Sequence, residues 1–224
     1  MPASDSDTKF GQHRVMEPTP TPLPVDTVDV WGVAEALDDG SRENSWWYDP
    51  ATGQVEMGMS EDWDVDDGDD PMERGLVRIE SPGPRGAYQD MARFASAVGD
   101  RHARDLLERA LEGRGAFRRF RDTLHEFADL VEPWRSYARA CAEMRALEWL
   151  ADEAHVDPAE AATATAIREA TAARALAAVG QRAGLHVDVS EIVQRLAEIE
   201  AAIDSGHGVT LTRSGEPWAT ITPR

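Results

Sequence analysis

The nine residues from Gly113 to Arg121 hold four arginines and no acid. A guanidinium is a planar cation with five donors, suited to phosphate and carboxylate oxygens. Arg114 lies in a Gly-x-Gly turn before a predicted helix, whose first free amides also favour an anion. Arg114, Arg118, Arg119 and Arg121 are therefore the candidate phosphate- or partner-binding residues. Asp122 and His125 follow on the same predicted helix and are the candidates for an acid or base. A lone helical histidine is more often structural, so no catalytic residue is assigned. In the structural alternative, Arg118 and Arg121 pair with the molecule's own carboxylates, and Phe117 and Phe120 anchor the core. Charge distribution favours that alternative. Residues 26–80 carry seventeen acids against three arginines, a local balance of −14.

Other chemistry-bearing residues form no recognisable catalytic pattern. The run 61–70 has seven acids in ten residues. Asp62, Asp64, Asp66 and Glu73 have the spacing of a calcium loop. Asp67 stands where such a loop needs glycine, so the run reads as a solvated loop with no metal site. The six histidines make no HExxH or Cys-His pattern. Cys141 is the single cysteine, which excludes an internal disulfide and a Cys-rich zinc site. It falls on an apolar stripe, as a buried inert thiol does. Gly113-x-Gly115 lacks the lysine and preceding strand of a P-loop. No cofactor is expected. Trp46 and Trp47 are adjacent on a predicted strand and so face opposite ways. One belongs in the core, and the other is a candidate partner-binding residue.

The elements that must position these residues follow from periodicity. Residues 1–26 read as a disordered Pro/Thr-rich tail. A helix begins near Val28. Trp46–Tyr48 and Gln54–Met57 flank Asp49-Pro50-Ala51-Thr52-Gly53, a hairpin signature. Gly75–Ser81 is a third strand able to join them. Four amphipathic helices fill 85–153, broken by Gly113 and Gly115. An Ala-rich helix from Pro158 to about Gly184 reads as a linker, because small side chains bury little area. Residues 185–224 then read as strand, helix with Ser190 as N-cap, and hairpin around Arg213–Pro217. Forty residues rarely sustain a core alone, so this unit is expected to dimerise or dock.

Ala110–Phe127, ALEGRGAFRRFRDTLHEF, resembles the most distinctive box of uncharacterised protein family 0158. WWYDPATGQV, YQDMARF and WRSYARACAEMRALEWL resemble further parts of that family, in family order between 28 and 153. The resemblance implies no activity, since none is established for the family. The C-terminal segment resembles the prevent-host-death antitoxins. Gly206, Thr212, Gly215, Pro217 and Ala219 match their motif, along with Val209, Leu211 and Ile221. That likeness implies dimerisation, operator-DNA binding and a toxin-like protein partner. The neutralising tail is expected to be missing, because the sequence stops at Arg224.

The expectation is an α+β protein in four parts. These are a tail (1–26), a family domain (27–155) with a small antiparallel sheet packed by about five helices, a helical linker (156–184), and an antitoxin-like strand-helix-β-hairpin (185–224). The composition and the absence of a secretory signal or apolar span point to a bacterial cytoplasmic protein with no membrane contact. The net charge of −19 disfavours general nucleic-acid binding. The function expected is non-enzymatic binding or regulation as a homodimer through the C-terminal unit. Two alternatives stand beside it. One is an enzyme that grips a phosphate-bearing substrate with the arginine box. The other is an operator-DNA-binding regulator.

Overall fold

Asp29 starts the first helix. Its side chain accepts the Gly32 N–H at 2.8 Å, as an N-cap does, and α1 runs Val30–Asp38. The computed structural model describes residues 21–41, 43–59, 70–181, 185–204 and 208–221. Packing begins before residue 27. Leu23 N–H donates to the His155 carbonyl at 2.9 Å, and Leu23 and Val25 lie against the core. Strands β1 (Asn44–Tyr48) and β2 (Val55–Met59) pair antiparallel. Asp49 makes their turn. Its carboxylate accepts Ala51 N–H and the Thr52 hydroxyl, and its carbonyl accepts Gly53 N–H. Gly53 has φ +73, a conformation that favours glycine. Strand β3 (Val77–Ile79) pairs with β1 on the other side, giving the order β2-β1-β3.

Four helices follow: α2 (Arg85–Ala97), α3 (Arg101–Ala110), α4 (Ala116–His125) and α5 (Ala128–Asp152). The first core lies among them. Phe94, Phe120, Leu107 and Tyr137 are buried there, and Trp134 stands edge-on to Phe94 and Phe120. The second half of α5 crosses to another core, where Leu147 and Leu150 meet Val33 of α1 and Tyr48 of β1. Arg145 fixes the crossing by binding Asp90 at 2.6 Å and Asp38 at 3.1 Å.

Helix α6 (Pro158–Gln181) is capped by Asp157, which accepts Ala159 N–H at 2.8 Å. It is not a free connector. Ala161 and Ala164 are buried in the second core, and Ala172, Ala175 and Val179 in the first. The small side chains that suggested little burial permit close packing instead. Gly99 N–H donates to the Val179 carbonyl at 3.0 Å, an approach only a residue without Cβ can make.

The last unit has strand β4 (Leu185–Asp188), helix α7 (Leu196–Asp204) and strands β5 (Val209–Arg213) and β6 (Glu216–Ile221). Its order is β4-β5-β6, with β4 parallel and β6 antiparallel to β5. The helix is shorter than expected. Residues 190–195 form turns, and Ser190 donates its hydroxyl to Asp188 at 2.6 Å instead of capping a helix. Leu196, at the start of α7, is half exposed. Leu185, Val187, Ile199, Val209 and Leu211 make the small third core. The architecture is α+β, with seven α-helices and two three-stranded sheets among the described residues. No helix is long and apolar enough to cross a membrane, among the described residues.

Candidate functional site

The arginine box caps a turn of its own. Helix α3 ends at Ala110, and Gly113 and Gly115 take positive φ to start α4. A helix end leaves carbonyls without partners. Arg119 supplies them. Its Nε donates to Ala110 O at 3.1 Å, and its two terminal nitrogens donate to Arg114 O and Glu112 O. Arg118 faces Asp122 one turn on, at 3.6 Å, both largely exposed. Arg114 and Arg121 are exposed, with no ion pair among the described residues. Phe120 is buried as a core anchor, whereas Phe117 is 40% exposed.

Among the described residues, no carboxylate of the acidic front half pairs with this box. Two of its described carboxylates pair elsewhere, Glu56 with Arg74 at 2.9 Å and Asp38 with Arg145. Asp39 accepts Asn44 at 2.8 Å and the Trp46 indole N–H at 2.7 Å, and these bonds hold its carboxyl below the usual range. Trp46 is thus half-buried and engaged, and Trp47 is buried. The exposed indoles among the described residues are Trp31, under the Arg139 guanidinium, and Trp218, under that of Arg213.

The structure separates His125 from an arginine clamp. His125, at the end of α4, lines a cleft of about 390 Å³ between the helical body and the C-terminal unit. His102 of α3 and His186 of β4 line it too, with Phe127. None of Arg114, Arg118, Arg119 and Arg121 does; the arginine there is Arg195. Arg195 is nearly buried, and its head is taken up by the His186 carbonyl at 2.8 Å and Glu198 at 3.0 Å. On the far wall, hydrogen bonds from Ser190 hold the Asp188 carboxyl below its ordinary range. Ser214 and Gly215 turn the β5–β6 hairpin at positive φ beside it.

The body grips β4 through Asp100, which accepts the His186 backbone N–H at 3.1 Å. His186 Nε2 lies 3.7 Å from Asp129. Sequence reasoning missed this junction. His102, His125 and His186 share no periodic pattern, and only tertiary packing brings them to one cleft. No group of His, Cys, Asp and Glu among the described residues could hold a metal ion. Cys141 is buried, and burial pushes its thiol up to about 11.

The antitoxin-like residues sit on the C-terminal hairpin. Gly215 forms its turn, Ala219 packs on the third core, and Pro217 faces Thr212 beside a register shift. Proline is tolerated at such an irregularity on an edge strand. Gly206, the remaining motif residue, lies outside the described residues, as do the acidic run 61–69 and Trp63.

Residues 72–164 match the model of an uncharacterised protein family (UPF0158). No curated protein and no solved structure matches the chain. The matched stretch carries β3, helices α2–α5 and the start of α6, and so supports the family for the helical body, including the arginine box. It begins later than the hairpin at Asp49 and ends before β4.

Proposed function

We propose that the chain is a non-enzymatic binding and regulatory protein that dimerises through its antitoxin-like C-terminal unit. The observation that carries this reading is the asymmetry of the second sheet. The β4 edge is held by the body through Asp100, whereas β6 is an edge strand exposing Trp218 at 57% and Ile221 at 38%. A unit with five buried apolar residues gains by covering such a strand. The arginine box favours binding over phosphate chemistry, because Arg119 serves backbone carbonyls and the box does not share the His125 cleft. Operator binding gains little support, since Arg195 is buried in ion pairs and Arg213 lies on Trp218. A DNA reader instead presents several free cations on one face. The partner this reading favours is a toxin-like protein, with Arg114 and Arg121 as free cations for it.

Sedimentation over a wide concentration range tests the dimer. The expected result is a dimer that becomes a monomer in Trp218→Asp/Ile221→Asp. A parent chain that stays monomeric at high concentration overturns the reading.

A further inference from the structure

We infer that the cleft between the helical body and the C-terminal unit is a binding site for a small organic cation, an amine or guanidine. The inference does not depend on the dimer. Four carboxylates line it among the described residues: Glu126 and Asp129 on the body side, Asp188 and Glu191 on the other. The one lining arginine among the described residues, Arg195, is already held by Glu198 and the His186 carbonyl, with Glu191 at 3.7 Å. It has little positive charge left to present to a ligand. The imidazoles of His102, His125 and His186 and the Ser214 hydroxyl add hydrogen-bonding groups. Phe127 contributes an aromatic wall, against which a cation is favoured. An anion would meet like charge on both walls. A volume of about 390 Å³ lies in the range of small-molecule sites.

The position gives the site a consequence. The His186 N–H bond to Asp100 and the His186–Asp129 contact border the cleft. A cation bridging Asp129 and Asp188 touches both the body and the unit, so it braces β4 against the helices. Binding one state better than another shifts the equilibrium toward it. The ligand therefore reduces local opening at β4.

The test is calorimetric titration of the full chain with agmatine, which carries an amine and a guanidine, and with inorganic phosphate in parallel. The bulk charge of −19 attracts any cation weakly. Glu43→Gln/Glu169→Gln, two exposed carboxylates outside the cleft, is therefore the equal-charge control. The expected result is saturable one-to-one agmatine binding that Glu126→Gln/Asp129→Asn weakens about tenfold while the control leaves it unchanged. Amide exchange gives a second readout in the parent chain, where agmatine should slow exchange at His186. The proposal is overturned if phosphate binds in place of agmatine, if no saturable binding occurs, if the control loses as much affinity, or if exchange at His186 is unmoved by saturating agmatine.

Discussion

Asp100 and His186 are eighty-six residues apart, yet one carboxylate oxygen of the first accepts the backbone N–H of the second at 3.1 Å. The other oxygen caps α3 by accepting Ala103 N–H at 2.7 Å. Asp100 is 8% exposed. A buried carboxylate is tolerated where donors surround it, and here the donors come from two structural units. The N-cap ties the start of α3 to the register of β4.

Two substitutions separate these roles. Asp100→Ser keeps a helix-capping hydroxyl but is too short to reach β4. Asp100→Ala loses both bonds. The cap is worth about 1 kcal/mol, and the part-buried His186 link about 1 kcal/mol more. In urea unfolding, Asp100→Ala should lose roughly 2 kcal/mol and Asp100→Ser roughly half of that. Amide exchange at 185–188 should speed up in both. An Asp100→Ser variant as stable as the parent would show that the link to β4 contributes nothing, and equal stability of Ser and Ala would show the same of the cap.

Arg118 and Arg119 are neighbours of one residue type with opposite expected effects. Arg118 faces Asp122 across an exposed helical turn, and such pairs contribute about 0.3–0.5 kcal/mol. Arg119 closes three carbonyls at the end of α3 and in the following turn. Arg118→Ala should lie within about 0.5 kcal/mol of the parent, whereas Arg119→Ala should lose about 2 kcal/mol. Thermal and urea unfolding check the ranking. An Arg119→Ala variant as stable as Arg118→Ala would return Arg119 to the set of free cations.

Local signals in the sequence located most of the elements. The Asp49–Gly53 turn, the apolar stripes of α2 to α5 and the glycines at 113 and 115 each specify their structure within a few residues. What they could not specify was partnership. A charged residue read alone invites a carboxylate partner, but Arg119 found carbonyls. The signal was present in the glycines that end α3, because a helix end followed by arginine supplies orphan acceptors. Alanines in α6 suggested weak burial, while close helix contact makes them core. The cleft lay beyond reach, since His102, His125 and His186 meet only after α6 returns the chain to the body.

Gly99 permits that return. A Cβ there would stand 2.6 Å from the Gly180 carbonyl oxygen and 3.2 Å from that of Val179. Both obstacles are backbone, so α6 must shift to make room. Gly86 offers a comparison, because the nearest atoms to its added Cβ belong to the Arg145 side chain, at 3.3 Å, and not to backbone. Gly99→Ala should destabilise by about 2–3 kcal/mol, as overpacking does, and Gly86→Ala by less than about 1 kcal/mol. Denaturant midpoints decide this, and a Gly99→Ala variant as stable as Gly86→Ala would sink the close-approach argument.

His155 sets a pH dependence for folding. It is 6% exposed, and its ring lies 4.5 Å from that of Tyr48 and 5.3 Å from that of Trp149. Neither ring nitrogen has a hydrogen-bond partner among the described residues. Burial lowers its pKa from 6.5, because a charged imidazole there would be poorly solvated. The folded state therefore binds its proton at lower pH than the unfolded chain does. Above about pH 6.5 both states are neutral and His155 contributes no pH dependence. As pH falls below that value the unfolded chain takes up the proton first, so stability declines until the folded pKa is reached. The slope it adds is at most about 1.4 kcal/mol per pH unit, one proton's worth. His155→Phe keeps a ring against Tyr48 and Trp149 and removes the titration. Urea unfolding at a series of pH values from neutral to mildly acidic should show a shallower decline for His155→Phe. Parallel curves for variant and parent would mean that the buried imidazole is not what makes the fold acid-sensitive.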